Sequence, residues 1–287
     1  MVFYFVTTDH LEINLWFRDE QDFKACMNSV AIVSFLCGVN ILAFILMSNH
    51  VHFVLECTYD EAVRFITALK KRHAQYLSGR YGVRKPFRRN GVDIREVSPQ
   101  DESLERSIAY VQMNSVAANI CANPFDYQWG TGNTFFRNTA QTGQRLDGMS
   151  MRAVERCVSG RTKLPGDYLM RPDGYIDPCS YVKVSFVEAV FRTPKRYLMF
   201  LNGSSKAKKT LSSERSIPVF RDHVLIPAVK EIVYSLYRAQ SIKELDYEKQ
   251  AEVIRQIRRR FSADIHQISR VTGIGMDQVT HLLEDFI

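Results

Sequence analysis

Hydrophobic positions along the chain switch between two periods, and the switches mark out the elements. Residues 2–8 (VFYFVTT) are β-branched and aromatic, which suits a strand. Asp19 is placed to cap a helix running to about Cys37, where Gly38 fits the left-handed stop. Residues 39–47 and 50–56 read as two further strands, joined through Ser48-Asn49. Asp60 is the expected cap of a helix over 61–78, ended by Gly79 and Gly82. Residues 85–97 read as extended, and Ser98-Pro99 introduces a helix over about 100–121. Strands joined by a tight turn cannot be parallel neighbours. The pattern therefore predicts an α+β fold: a ferredoxin-like antiparallel sheet with helices on one face.

Beyond Pro124 the periodicity weakens. Residues 130–148 are polar and rich in Gly and Thr, as a loop or linker would be. Residues 150–201 alternate short periodic pieces with turn signals such as Pro172-Asp173-Gly174, and 202–209 (NGSSKAKK) read as a hinge. From 217 onward the chain reads as helical. Three segments follow: 1–130, a folded domain; 131–203, a linker or support; and 204–287, a mainly helical region.

Charge sharpens this outline. The chain carries a formal +7, and its pI is about 9.1, which favours an acidic partner. Across residues 62–95 stand Arg64, Lys70, Lys71, Arg72, Arg80, Arg84, Lys85, Arg88, Arg89 and Arg95 against a single acid, Asp93. A solvated helix face normally mixes signs, so this run is expected to track a phosphate backbone. Tyr76, Tyr81 and Phe87 are interleaved with it and are read either as base-stacking platforms or as core. The six cysteines form no CxxC pair, which removes the usual support for a zinc ribbon and suits reduced thiols in the cytoplasm. The N-terminus lacks the basic region of a signal peptide. The most apolar stretch, 25–47, is interrupted by Asn28, Ser29, Ser34, Gly38 and Asn40, so it is expected to be a buried helix and strand, with no membrane segment.

The candidate chemistry lies in two short runs. In His50-Val51-His52 the imidazoles are two apart, so on a strand they share one face and can approach one metal ion. In IAYVQMNSVAANI, Tyr110 and Asn114 are four apart and share one face of a helix. Tyr110 is then a candidate nucleophile and Asn114 a candidate oxygen ligand. Each residue also has a plain alternative: hydrogen-bonding histidines, a core tyrosine and a local hydrogen-bonding asparagine.

Taken together, MSNHVHFVLE and AYVQMNSVAANICANPFDYQWGT resemble the single-tyrosine HUH transposases, in particular the REP-associated tyrosine transposases. The likeness rests on Met47, Asn49, His50 and His52, then Tyr110, Asn114 and Val116, then Pro124, Tyr127 and Trp129, and it spans about residues 1–130. Ser115 stands where that family has proline, and Gly130-Thr131 where it usually has two serines. The resemblance implies an endonuclease and strand transferase acting on single-stranded or hairpin DNA. A divalent ion, Mg²⁺ or Mn²⁺, would be held by His50, His52 and Asn114, and Tyr110 would form a 5′-phosphotyrosine. It leaves room for a homodimer. Two alternatives stand beside it: a non-catalytic nucleic-acid binder on the same scaffold, and a nicking enzyme of the relaxase or replication-initiator kind.

Residues 265–286 resemble a helix-turn-helix. Ile268, Ile274, Val279 and Leu282 fall at buried positions, Ser269 at the helix crossing and Gly273 at the turn. A reading helix over 276–286 would present Asp277, Gln278, Thr280 and His281 to a groove, with Arg255, Arg258, Arg259 and Arg260 just upstream. An ordinary packed pair of helices fits the same pattern. The run LPGDYLMRPDGYIDPCSYV suggests no chemistry.

Overall fold

The computed structural model describes residues 2–8, 16–84, 86–87, 91–136, 143–160, 163–204, 222–261, 263 and 265–284. It divides into two compact units, one of residues 1–115 and 123–208, the other of residues 116–122 and 209–287.

The first unit opens with β1 (Phe3–Thr8), α1 (Glu20–Cys37), β2 (Asn40–Met47), β3 (His50–Glu56), α2 (Tyr59–Tyr81), β4 (Val92–Val97) and α3 (Ser103–Gln112). The strands form one sheet in the order β2-β3-β1-β4, every pairing antiparallel. This is the ferredoxin-like arrangement that the spacing predicts.

Helix α1 starts where Asp19 accepts from the Gln21 and Asp22 amides, and it ends at Gly38 with φ +68°. Helix α2 departs from expectation at both ends. Thr58, not Asp60, is its cap, in a reciprocal capping box with Glu61. The helix also runs through Gly79 to Gly82, because its last turn is held from outside. Arg80 ion-pairs with Asp19 and with the fully buried Asp22, both at 2.6 Å, and the Tyr81 hydroxyl bonds to Asp22 at 3.1 Å. Of the stretch expected as extended, residues 85 and 88–90 lie outside the described set, and β4 holds Val92–Val97. The long helix expected over 100–121 breaks after Gln112, leaving α3 and the single turn α4 (Asn114–Ala117).

The sheet is covered on both faces. On one, α1 and α2 pack over it, with Phe65 of α2 set edge-on to Phe53 of β3 at 5.0 Å and Tyr59 against Tyr4 at 6.0 Å. On the other lies α3, which was expected beside the first two helices.

Residues 131–203, read as a linker or support, belong to this unit. They carry β5 (Gln144–Arg145), α5 (Met151–Val158), β6 (Leu169–Met170), α6 (Val184–Phe191) and α7 (Pro194–Gly203). Buried Asn28 of α1 ties them down by donating to the Cys157 and Gly174 carbonyls and accepting from the Ile176 amide. The outer edge of β2 is occupied by the same chain. Leu46 N–H donates to the Trp129 carbonyl, Thr131 N–H donates to the Phe44 carbonyl, and Gly130 bridges Ile45. A side chain at Gly130 would meet the Phe44 carbonyl oxygen at 2.6 Å, so this close approach requires glycine.

In the second unit, α8 (Asp222–Tyr237), α9 (Tyr247–Phe261), α10 (Ile265–Thr272) and α11 (Met276–Glu284) pack together. No helix of the described residues is long and apolar enough to cross a membrane.

Candidate active site

The site follows from strand alternation. Along β3, Val51, Phe53 and Leu55 point into the α1/α2 layer, so His50, His52 and Val54 point to the α3 side. Register extends this second face across the sheet. Thr7 lies opposite His52 and Asp93 opposite Thr7; in the next row Phe5 lies opposite Val54 and Arg95 opposite Phe5.

The imidazole centroids of His50 and His52 are 4.7 Å apart with the rings at 87°. His52 is buried and His50 partly exposed. The turn that presents them is clamped from several sides. The Trp16 and Phe17 amides both donate to the Ser48 carbonyl, and the Val51 amide donates to Thr8 Oγ1 at 3.0 Å. The Tyr127 hydroxyl donates to the Leu46 carbonyl at 2.7 Å, and Trp129 stacks on Phe23 at 5.0 Å. Tyr127 and Trp129 thus brace the strand that leads into the histidines. Buried Asn49 places Oδ1 2.8 Å from His50 Nδ1. An oxygen there accepts from Nδ1–H, which leaves Nε2 as the lone-pair nitrogen of His50.

Helix α3 brings Tyr110 to the same face. Its ring centroid is 5.9 Å from that of His52, edge-on at 89°, and 5.8 Å from that of Phe5. Phe5 and His52 are 5.6 Å apart, so the three rings form a closed triangle. Two imidazoles and a phenol from one chain therefore meet at one partly open surface. The donor chemistry suits a divalent ion held through imidazole nitrogen. Among the described residues, no group of three or more His, Cys, Asp or Glu side chains is disposed to hold a metal.

Asn114 also has a local structural part. It is buried, and its Nδ2 donates to the Tyr110 carbonyl at 2.8 Å and the Val111 carbonyl at 3.3 Å. These bonds tie off the last turn of α3, which explains why the helix breaks there. Its described hydrogen bonds use Nδ2 and stay within its own helix; Oδ1, the ligand atom expected of it, takes no part in them.

The basic run is only partly a surface. Arg72 donates to the Val158 carbonyl at 2.8 Å and to Ser29 Oγ at 3.2 Å, and Arg80 is held by Asp19 and Asp22. Both act within the fold, which removes them from the expected phosphate track. Arg64, Lys71 and Arg84 are exposed and Lys70 is half-buried. Lys85, Arg88 and Arg89 lie outside the described residues. Moreover α2, carrying Arg64, Lys70 and Lys71, covers the sheet face opposite the histidines. The interleaved aromatics are packing groups: Phe87 stacks on Trp16 at 4.1 Å, the Tyr76 hydroxyl meets Arg80, and Tyr81 meets Asp22. Arg95 of β4, not singled out as a site residue, is the described cation of that run on the histidine face. Its place depends on the β1–β4 register, which no local pattern announces.

The C-terminal helices take the expected form. Gly273 turns the chain with φ +69°, Ser269 Oγ donates to the Ile274 carbonyl at 2.7 Å, and Ile268, Ile274, Val279 and Leu282 are buried. Asp277, Gln278 and His281 are exposed on α11, and Gln278 reaches Gln250 of α9 at 3.3 Å. Arg258 is half-buried and Arg260 buried; the Arg259 side chain lies outside the described set.

No family model, curated protein or solved structure matches this chain.

Proposed function

We propose that this chain cleaves and rejoins single-stranded or hairpin DNA by strand transfer through Tyr110, in the manner of the single-tyrosine HUH transposases that its motifs resemble. The observation that supports this reading is the meeting of His50, His52 and Tyr110 on one face of the sheet. His50 and His52 would hold a divalent ion such as Mg²⁺ or Mn²⁺, which would supply Lewis-acid charge stabilisation at the scissile phosphate. Asn49 orients His50, and Phe5 holds the phenol ring against His52. Tyr110 Oη bonds to phosphorus as the P–O3′ bond breaks. The phenol gives up its proton and the departing 3′ oxygen gains one, leaving a 5′-phosphotyrosine and a free 3′-OH. A second 3′-OH reverses the step, so ends are rejoined without ATP. The nearness of phenol and imidazoles in one chain supports attack within a single copy, with a homodimer as the other arrangement. An open face of this kind suits unpaired DNA better than a duplex. On the same reading, α10 and α11 serve as a helix-turn-helix that presents Gln278 to DNA.

The test is a labelled suicide oligonucleotide, single-stranded or hairpin, incubated with Mg²⁺ or Mn²⁺. The wild type is expected to form a covalent adduct, and Tyr110→Phe to reduce it by at least about 10⁴-fold. Binding without an adduct in either metal would overturn the reading in favour of a non-catalytic binder.

A further inference from the structure

Arg95 has no assigned part in this site, yet the sheet places it there. Antiparallel pairing puts it directly across from Phe5, on the face that carries His52, one row along from the Thr7–His52 pair. Phe5 itself touches both His52 and Tyr110. The guanidinium is exposed, with side-chain accessibility of 73%, and is anchored to Asp93, the next residue on that face of β4. Asp93 raises the proton affinity of Arg95, and the Tyr110 phenol lies close enough to add to the effect.

A cation on this row lies within electrostatic reach of the Tyr110 phenol, and so of a phosphate bound for attack by it. The non-bridging oxygens of that phosphate carry more charge as Tyr110 Oη adds to phosphorus, and a planar guanidinium can pair with two of them. Its present partner, Asp93, is itself part-exposed, so a surface ion pair of small net stability holds Arg95 in place. A phosphate can displace it at little cost.

We propose that Arg95 is a catalytic residue of this site: it exchanges Asp93 for the non-bridging oxygens of the scissile phosphate and stabilises the charge that gathers there during attack by Tyr110. This rests on the strand-transfer reading, but part of it can be tested without cleavage.

In a Tyr110→Phe background, binding of a 20-mer oligothymidylate is measured over a range of salt. Arg95→Gln is expected to reduce the slope of log affinity against log salt by about 0.7, the loss of one phosphate contact. In the Tyr110 protein, Arg95→Gln is expected to slow covalent adduct formation about 100-fold, and Arg95→Lys to recover part of the loss. On a substrate with methylphosphonate at the scissile position the gap between wild type and Arg95→Gln should close to about threefold, since that substitution removes the charge Arg95 would meet. The exposed position predicts an unchanged melting temperature. An unchanged salt slope, or an adduct rate within about twofold of wild type, overturns the inference even if Tyr110 reacts. A reduced slope with no adduct in the wild type would instead discard the strand-transfer reading and leave Arg95 as a phosphate contact.

Discussion

The two faces of one sheet behave as different materials. Along β3, every second residue enters the α1/α2 layer, where Val51, Phe53 and Leu55 are fully buried. The residues between them point toward α3, where His50, Phe5, Thr7 and Tyr110 remain partly exposed and the chemistry-bearing groups collect. The apolar face fixes register, since a slip of one residue would exchange the two sets. That fixed register is what lets Thr7, His52 and Asp93 share one row, and Phe5 and Arg95 the next. Rigidity is supplied on one side and used on the other.

Replacing Phe53 with alanine attacks the sealed side. Phe53 is fully buried between Phe44 and Phe65, so the change is expected to cost about 3–5 kcal/mol, read by denaturant unfolding. Protein that still folds should form the Tyr110 adduct at a rate close to wild type. A stable Phe53→Ala protein that has lost the adduct would mean the two faces are not separable.

Histidine sharpens the contrast, because the sealed side has one as well. His73 of α2 is fully buried, stacked with Trp16 and Tyr76, with Nε2 2.6 Å from the Trp16 carbonyl oxygen. Burial pushes its imidazole down to about 4. The unfolded chain titrates near 6.5, so it takes up this proton first. Stability from a neutral His73 is therefore present above pH 6.5 and is lost as pH falls toward 4. Between pH 7 and 4.5 this group should account for about 2 kcal/mol of the wild-type loss, and His73→Phe should lose that much less over the same interval. Equal losses in the two proteins would show that His73 carries no such burden.

The smallest expected effect is on the open side. Asn49→Ala should leave the fold intact but weaken Mn²⁺ binding about tenfold, read by electron paramagnetic resonance, because a second-layer partner sets the ring orientation of a ligating histidine. Imidazole ¹⁵N shifts should also show His50 leaving the Nδ1–H form. Unchanged metal affinity would reduce Asn49 to a turn residue.

The framework was largely readable in advance because it depends on local rules. Runs of β-branched, aromatic and aliphatic residues in 2–8, 39–47 and 50–56 located three strands, Asp19 and Gly38 located the ends of α1, and the two-residue spacing put both histidines on one face. What escaped depended on distant partners. Gly79 reads as a stop, but Asp19 and Asp22 hold the turn beyond it through Arg80. Arg72 and Arg80 read as phosphate contacts because their partners, Ser29 and Val158 for the first and Asp19 and Asp22 for the second, lie far away in sequence and leave no periodic mark. The break at Asn114 comes from its own side chain competing for backbone carbonyls, which an i, i+4 argument does not foresee. The residues after 130 look like a linker because they lack periodicity of their own. Their order is borrowed from Asn28 and from the margin of β2.

That margin bears on how the sheet meets other chains. A bare strand edge is a template on which other chains can add. At β2, residues 129–131 already occupy the template, and Gly130 brings the backbone too near to be displaced by a bulkier visitor. The opposite margin, β4, is short and set with Asp93, Arg95 and Glu96, whose charges discourage a neighbouring strand. One border of the sheet is locked by the chain's own backbone, and the other is guarded by charge.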